Sequence, residues 1–245
     1  MTATILEVKD LGKRFGGFVA LDGVSLDVAR GERLGLIGPN GSGKSTLVNC
    51  ICGTLRNEKG SVHFDGERMD GLKAHARTHR GLVRSFQLPR PFHSMTLADN
   101  IRIPLLYTVH REDAAARAHS SLRDRCHDLL EMVGLANKAK RLPRDLTQVE
   151  MRKLELARAV AAEPKLLLAD EAMAGLSHSE VDDILELLFR LNERGITIIL
   201  IEHIMSAVMR FSMRLAVLVS GKKIADGKVD EVVQNPEVVR AYLGE

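Results

Sequence analysis

Gly38-Pro39-Asn40-Gly41-Ser42-Gly43-Lys44-Ser45-Thr46 is the stretch that decides how this sequence folds. It fits the pattern G-x-x-x-x-G-K-[ST]. Before it lies Arg33–Gly38 (R-L-G-L-I-G), a short apolar run that reads as a buried strand. After it, Ser45–Cys52 carries apolar residues at helical spacing. Strand, glycine turn and helix in that order give the pattern its meaning. Glycines let successive backbone N–H groups converge on phosphate oxygens, and the start of the helix adds the positive end of its dipole. Lys44 supplies a point charge toward the β- and γ-phosphates of a nucleotide, and the Ser45 hydroxyl is placed to ligand Mg2+. A dinucleotide fingerprint would use the same glycines but leave the lysine without a role.

Working outward, Ile5, Val8 and Leu11 with the turn Gly16-Gly17 predict a short strand and a bend. Val24–Val28 alternates and predicts a half-buried strand. Gly60–Phe64 and Leu82–Phe86 read as further strands. From Leu88 the character changes: Pro89, Pro91 and Pro104 break the early part, and Ala114–Val133 then has helical spacing. Residues 88–160 are expected to form an inserted, mainly helical lobe, leaving 1–87 and 161–245 as the nucleotide-binding core of a single domain. Strand-like runs return at Leu166–Ala169, Thr197–Ile201 and Leu215–Val219, with helices expected at Ser179–Asn192 and Ile204–Phe211. Strands alternating with helices imply an α/β fold with a mostly parallel sheet covered on both faces.

Leu166-Leu167-Leu168-Ala169-Asp170-Glu171 is an apolar strand ending in two carboxylates. A nucleotide–Mg2+ site needs an anionic group at a strand's carboxyl edge to hold the metal's water shell, and Asp170 fits that need. Glu171 can face the γ-phosphate and polarise an attacking water. Standing alone, the pair would equally suit a solvated cap on a strand.

Composition removes several classes. Lys plus Arg is 35 and Asp plus Glu is 32, a formal charge of +3, with no long basic block. Seven Phe, two Tyr and no Trp are few for stacking single-stranded bases, so no nucleic-acid partner is expected. Three cysteines make no disulfide framework and fit a reducing compartment. No apolar run is long enough to span a bilayer. His75 and His79 are four apart but lack a third ligand, and read as solvated.

The order of phosphate loop, Gln87 after a strand, helical lobe, acidic strand and a lone His203 after a later strand resembles the ATP-binding subunits of ABC transporters, over essentially the whole chain. The resemblance implies a P-loop NTPase core with a mixed sheet, an antiparallel β-subdomain and an inserted helical subdomain. It implies ATP and Mg2+ as cofactors. Phe15, in K-R-F-G-G, resembles the aromatic that stacks on adenine. Gln87, in S-F-Q-L-P, resembles the glutamine whose amide reads Mg2+ and the attacking water. His203, in I-L-I-E-H, resembles the histidine that contacts the γ-phosphate. Ala174-Gly175-Leu176-Ser177 resembles the loop that crosses the dimer interface. Ser45, Gln87 and Asp170 are the implied metal ligands; Glu171, His203 and Gln87 are the implied catalytic set.

One segment departs from the family. Its signature, L-S-G-G-Q, caps the γ-phosphate of ATP bound by the opposite subunit. Here the matching place reads Leu146-Thr147-Gln148-Val149-Glu150. Thr147 can replace the serine hydroxyl, but Gln148 and Val149 take the places of both glycines and Glu150 brings a negative charge. With a partner bearing an intact signature, hydrolysis is therefore expected to concentrate at this chain's own phosphate loop.

The tail Asn235–Glu245 and the segment Pro91–Thr96 are similar to the subunits that serve importers of branched-chain and other hydrophobic amino acids. The implied partners are permease membrane subunits, a second ATPase subunit and, indirectly, a periplasmic or extracellular binding protein. The implied location is cytoplasmic, peripheral on the inner face of the membrane. Phe92, Met95, Leu97 and Ile101 are expected near one surface, as part of a groove for a permease helix. Three other readings stay open: a soluble ABC ATPase of DNA maintenance or translation, a small-molecule kinase with the same loop, and a nucleotide-binding structural subunit.

Overall fold

Strands β1 (Thr4–Phe15) and β2 (Phe18–Ala29) form a hairpin through Gly16-Gly17, and Gly16 takes φ 58, which favours glycine at that turn. Both are longer than their alternating cores suggested. They belong to a computed structural model that describes residues 3–85, 90–109 and 122–243. β3 (Arg33–Ile37) leads into α1 (Lys44–Cys52), followed by β4 (Lys59–Phe64), β5 (Glu67–Arg68), α2 (Ala74–Thr78) and β6 (Leu82–Ser85). Three helices come next: α3 (Leu97–Val109), α4 (Leu122–Met132) and α5 (Gln148–Val160). The remainder alternates: β7 (Leu166–Asp170), α6 (His178–Glu193), β8 (Thr197–Ile201), α7 (Met205–Phe211), β9 (Arg214–Val219), β10 (Lys222–Lys228), α8 (Val229–Val233) and α9 (Pro236–Leu243).

The strands make two sheets. One is antiparallel, in the order β2-β1-β4-β5. The other runs β10-β9-β3-β8-β7-β6, parallel except for β10, which pairs antiparallel to β9. β10 carries the polar sequence K-K-I-A-D-G-K, which has no strand periodicity, so the sequence did not announce it.

The central strands are buried on both faces because their residues serve two cores in alternation. Leu166, Leu168, Ile199 and Ile201 pack with α1 and the antiparallel sheet. Leu167, Ala169, Ile198 and Leu200 pack with α3 to α7. Each of these leucine and isoleucine side chains contributes roughly 1.5–3 kcal/mol by leaving water. A helix that must carry a ligand at its start is thus fixed from behind. Arg77 strengthens that fixing: it is buried, and its Nη1 donates to the last carbonyls of α1, Cys50 at 2.8 Å and Ile51 at 2.7 Å. Burial pushes the Cys50 thiol in α1 up to about 11 and that of Cys52 up to about 12; Cys126, in α4, is also a buried free thiol.

Two expectations need correction. α3 continues through Pro104, where a break was expected. Leu97, Ile101 and Leu105 recur at four-residue spacing and are fully buried, and their packing outweighs a proline whose interior cost is about 3 kcal/mol. For the same reason Leu97 and Ile101 are core, not docking surface; only Phe92 and Met95 of that set are exposed.

A candidate nucleotide site at the carboxyl edge of the sheet

β3, β8, β7 and β6 are parallel, and their carboxyl ends meet at one edge. Leu36 lies opposite Ile201, and Ile201 opposite Asp170. The loops leaving this edge carry the candidate residues, as ligand sites in open α/β sheets do.

The phosphate loop comes first. α1 starts on Gly43, at φ 104, with no side-chain cap and no acidic residue in its first turn. A Cβ on Gly43 would stand 2.7 Å from the Ala20 carbonyl oxygen, and one on Gly38 would stand 2.1 Å from that of Leu218. Glycine is required there because the loop lies directly against two neighbouring backbones. The Gly221 N–H donates to the Ser42 carbonyl at 2.9 Å and holds the loop from the side. Lys44 folds back over it: Nζ donates to the Gly38 carbonyl at 2.6 Å and the Pro39 carbonyl at 3.0 Å. Burial pulls Lys44 below the ordinary lysine value, against the raising pull of Glu171 and Asp170. A longer contact runs to Ser42 Oγ at 3.4 Å. An ammonium satisfied by neutral oxygens of its own loop, above an uncapped helix start, can exchange those partners for phosphate oxygens.

The two carboxylates differ in their surroundings. Asp170 is buried, and Arg84 of β6 places Nε at 3.1 Å and Nη2 at 2.5 Å from its Oδ2. The third arm of the same guanidinium reaches Asn49 Oδ1 in α1 at 2.6 Å. Arg84 therefore ties the acidic strand to the helix that follows the phosphate loop. Glu171 is half-buried and sits at φ 47, a left-handed conformation that costs a non-glycine residue on the order of 1–3 kcal/mol. Its N–H donates to the Ile201 carbonyl at 2.8 Å. Ser45, in the exposed first turn of α1, and the Asp170 carboxylate offer hard oxygen donors of the kind Mg2+ takes, and both Arg84 contacts fall on one Asp170 oxygen.

Next along the edge, Glu202 is buried and His203 is exposed, its side chain 65 % accessible. Glu202 Oε1 accepts the Met173 N–H at 2.8 Å. Burial pushes the Glu202 carboxyl above the usual range, with that N–H and His203 pulling the other way. Sequence reasoning did not single out Arg84 or Glu202. Gln87, assigned to the same edge, lies outside the described residues, as do 86–89 as a whole.

The ABC transporter family matches residues 21–174. The chain belongs to the ABC transporter family. A second match, to the branched-chain amino acid ATP-binding cassette transporter family, covers residues 222–245. The high-affinity branched-chain amino acid transport ATP-binding protein BraF of Pseudomonas aeruginosa is 37% identical, with both chains covered completely. LivG of Escherichia coli, with the same description, is 36% identical over the full length of both. Among solved structures, an ATP-binding cassette of an ABC transporter in its ADP conformation superposes with a TM-score of 0.88 at 34% identity, covering all of both chains.

The structure also describes Phe15 and the segment Leu146–Glu150. Phe15, at the tip of the β1–β2 hairpin, is half-exposed, and the Lys13 ammonium stands over its ring 5.5 Å from the centroid. α5 begins on Thr147, whose Oγ1 accepts the Glu150 N–H at 3.3 Å while Glu150 Oε2 accepts the Thr147 N–H at 3.0 Å. Lys138 Nζ lies 2.6 Å and 2.8 Å from the two Glu150 oxygens. Partial burial works to raise Glu150, but Lys138 and the Thr147 N–H outweigh it and hold the carboxyl below the usual range. Gln148 Nε2 donates to the Ala174 carbonyl at 3.3 Å, and Arg152 Nη2 to the same oxygen at 3.2 Å. Val149 packs against the lobe's core. Ser177, at the end of Ala174–Ser177, caps α6 with Glu180. His79 is not simply solvated: its ring stacks on Tyr107 with centroids 4.4 Å apart.

Proposed function

We propose that this cassette is the ATP-hydrolysing subunit of an importer for branched-chain or other hydrophobic amino acids. It works with permease subunits, a second ATPase subunit and, indirectly, a binding protein outside the membrane, and sits peripherally on the inner face of the cell membrane. Among the described residues no helix is long and apolar enough to cross a membrane. The observation that carries the substrate class is the match of residues 222–245 to the branched-chain family, beside relatives of that description covered end to end.

The geometry supports a division of roles. The loop from Gly38 to Thr46 holds the phosphates, Lys44 meeting the β- and γ-groups and Phe15 the base. Mg2+, held by Ser45, Asp170 and Gln87, would neutralise phosphate charge. Glu171 takes the proton of the attacking water, and His203 holds the γ-phosphate.

The experiment is uptake in cells lacking this chain. Labelled leucine, isoleucine and valine uptake should fall and return with the wild-type chain, but not with Lys44→Ala. The methionine import ATP-binding protein of Rhizobium etli is 38% identical over 98% of this chain, which covers 66% of that protein. Loss of methionine uptake with branched-chain uptake intact would overturn the proposed substrate.

A further inference from the structure

Glu171 holds a left-handed backbone that its side chain does not favour, so something outside the residue must fix it. Two bonds bracket it: the Ile201 carbonyl on its own N–H, and the Glu202 carboxylate on the N–H of Met173, two residues on. Both come from one short stretch at the end of β8. Glu202 is buried beneath this edge, where a lone carboxylate is costly unless it is bound. Its second oxygen, Oε2, is buried without a well-formed hydrogen bond among the described residues and lies 3.9 Å from Nδ1 of His203. Arg152 donates to the Ala174 carbonyl of the same turn at 3.2 Å and brings positive charge within electrostatic reach of Glu202. A single buried carboxylate therefore binds the turn that carries Glu171 and lies beside the ring of His203.

We infer that Glu202 is a positioning residue for hydrolysis, its carboxylate fixing the turn after Glu171 through the Met173 N–H and setting His203 against the same group. The inference rests on the reading of Glu171 as the base. Reach matters more than charge here. Glutamine keeps an acceptor at the right distance, whereas aspartate is one methylene short of the Met173 N–H.

The test uses the full chain with three variants, Glu202→Gln, Glu202→Asp and Glu202→Met, measuring kcat, ATP binding by calorimetry and thermal unfolding. Glu202→Asp and Glu202→Met should lose tenfold or more in kcat, with ATP affinity within threefold of wild type and the folded state retained. Glu202→Gln should stay within threefold of wild type in kcat. A purely structural carboxylate predicts a different pattern, because methionine removes a buried charge and relieves its desolvation, leaving kcat unchanged. Wild-type kcat in Glu202→Asp overturns the inference, as does a Glu202→Gln loss as large as that of Glu202→Met. Should Glu202→Met fail to fold, the order of the Gln and Asp variants decides. Glu171→Gln is measured alongside. Normal turnover there overturns the base assignment and this inference with it, whereas a dead Glu171→Gln beside a wild-type Glu202→Asp overturns this inference alone.

Discussion

Helix α1 starts on Gly43 with no side-chain cap and no acidic residue in its first turn, whereas α5 starts on Thr147 with a reciprocal cap and Glu150 in its first turn. On the function proposed above, α1 would meet the chain's own ATP and α5 that of a second subunit. At α1 the backbone donors are left for a ligand and a lysine waits above them on replaceable carbonyls. At α5 one donor is taken by Thr147, a carboxylate held by Lys138 stands beside the others, and Gln148 is tied back to Ala174. The lesson is that a helix dipole alone does not make an anion site; what occupies its first turn decides whether the donors are free.

Three experiments break or sharpen that contrast. The largest effect is expected at the chain's own site. Glu171→Gln keeps shape and hydrogen bonding but removes the base, so turnover should fall roughly 10²-fold or more while ATP still binds. Near-normal steady-state hydrolysis would remove Glu171 from that role. Next, Lys44→Ala takes away the cation above α1, and ATP affinity should fall at least tenfold, about 1.4 kcal/mol. Calorimetry showing unchanged affinity would mean that α1 is not the phosphate end. The smallest effect concerns α5. Replacing Gln148 and Val149 with glycine and Glu150 with glutamine should raise turnover at the paired site about fivefold, the scale of a charge near a helix end at ~1 kcal/mol. Assigning each site with Glu171→Gln in one subunit at a time, an unchanged rate would show that the present start of α5 already suffices.

Much of this was legible in the sequence because the signals are local. The phosphate loop needs glycines at fixed offsets, and the acidic strand is apolar up to its last residues, so both can be read without knowing what lies nearby. The parts that were not legible depend on distant neighbours. Glu202 follows an apolar run and precedes a histidine, which looks like a polar strand end; it is buried, and its partner is the Met173 N–H in the turn after Glu171, far away in sequence. Arg84 reads as a charge in a short strand until β7 places Asp170 beside it. Leu97 and Ile101 were read as surface from their position after Gln87, although their four-residue spacing with Leu105 was itself the mark of a core face.

The buried thiols give α1 a second chemical character. With Cys50 pushed up to about 11 and Cys52 to about 12, the reactive thiolate of either is on the order of one part in ten thousand or less at neutral pH, so both are inert to alkylating agents and mild oxidants while α1 is seated. Exposure of that helix restores ordinary cysteine reactivity at two positions two residues apart, and a group added there would claim volume in a packed core. Oxidation of these two thiols is therefore confined to molecules in which α1 has already opened, whereas the exposed Met209 and Met213 thioethers are open to it in the closed fold.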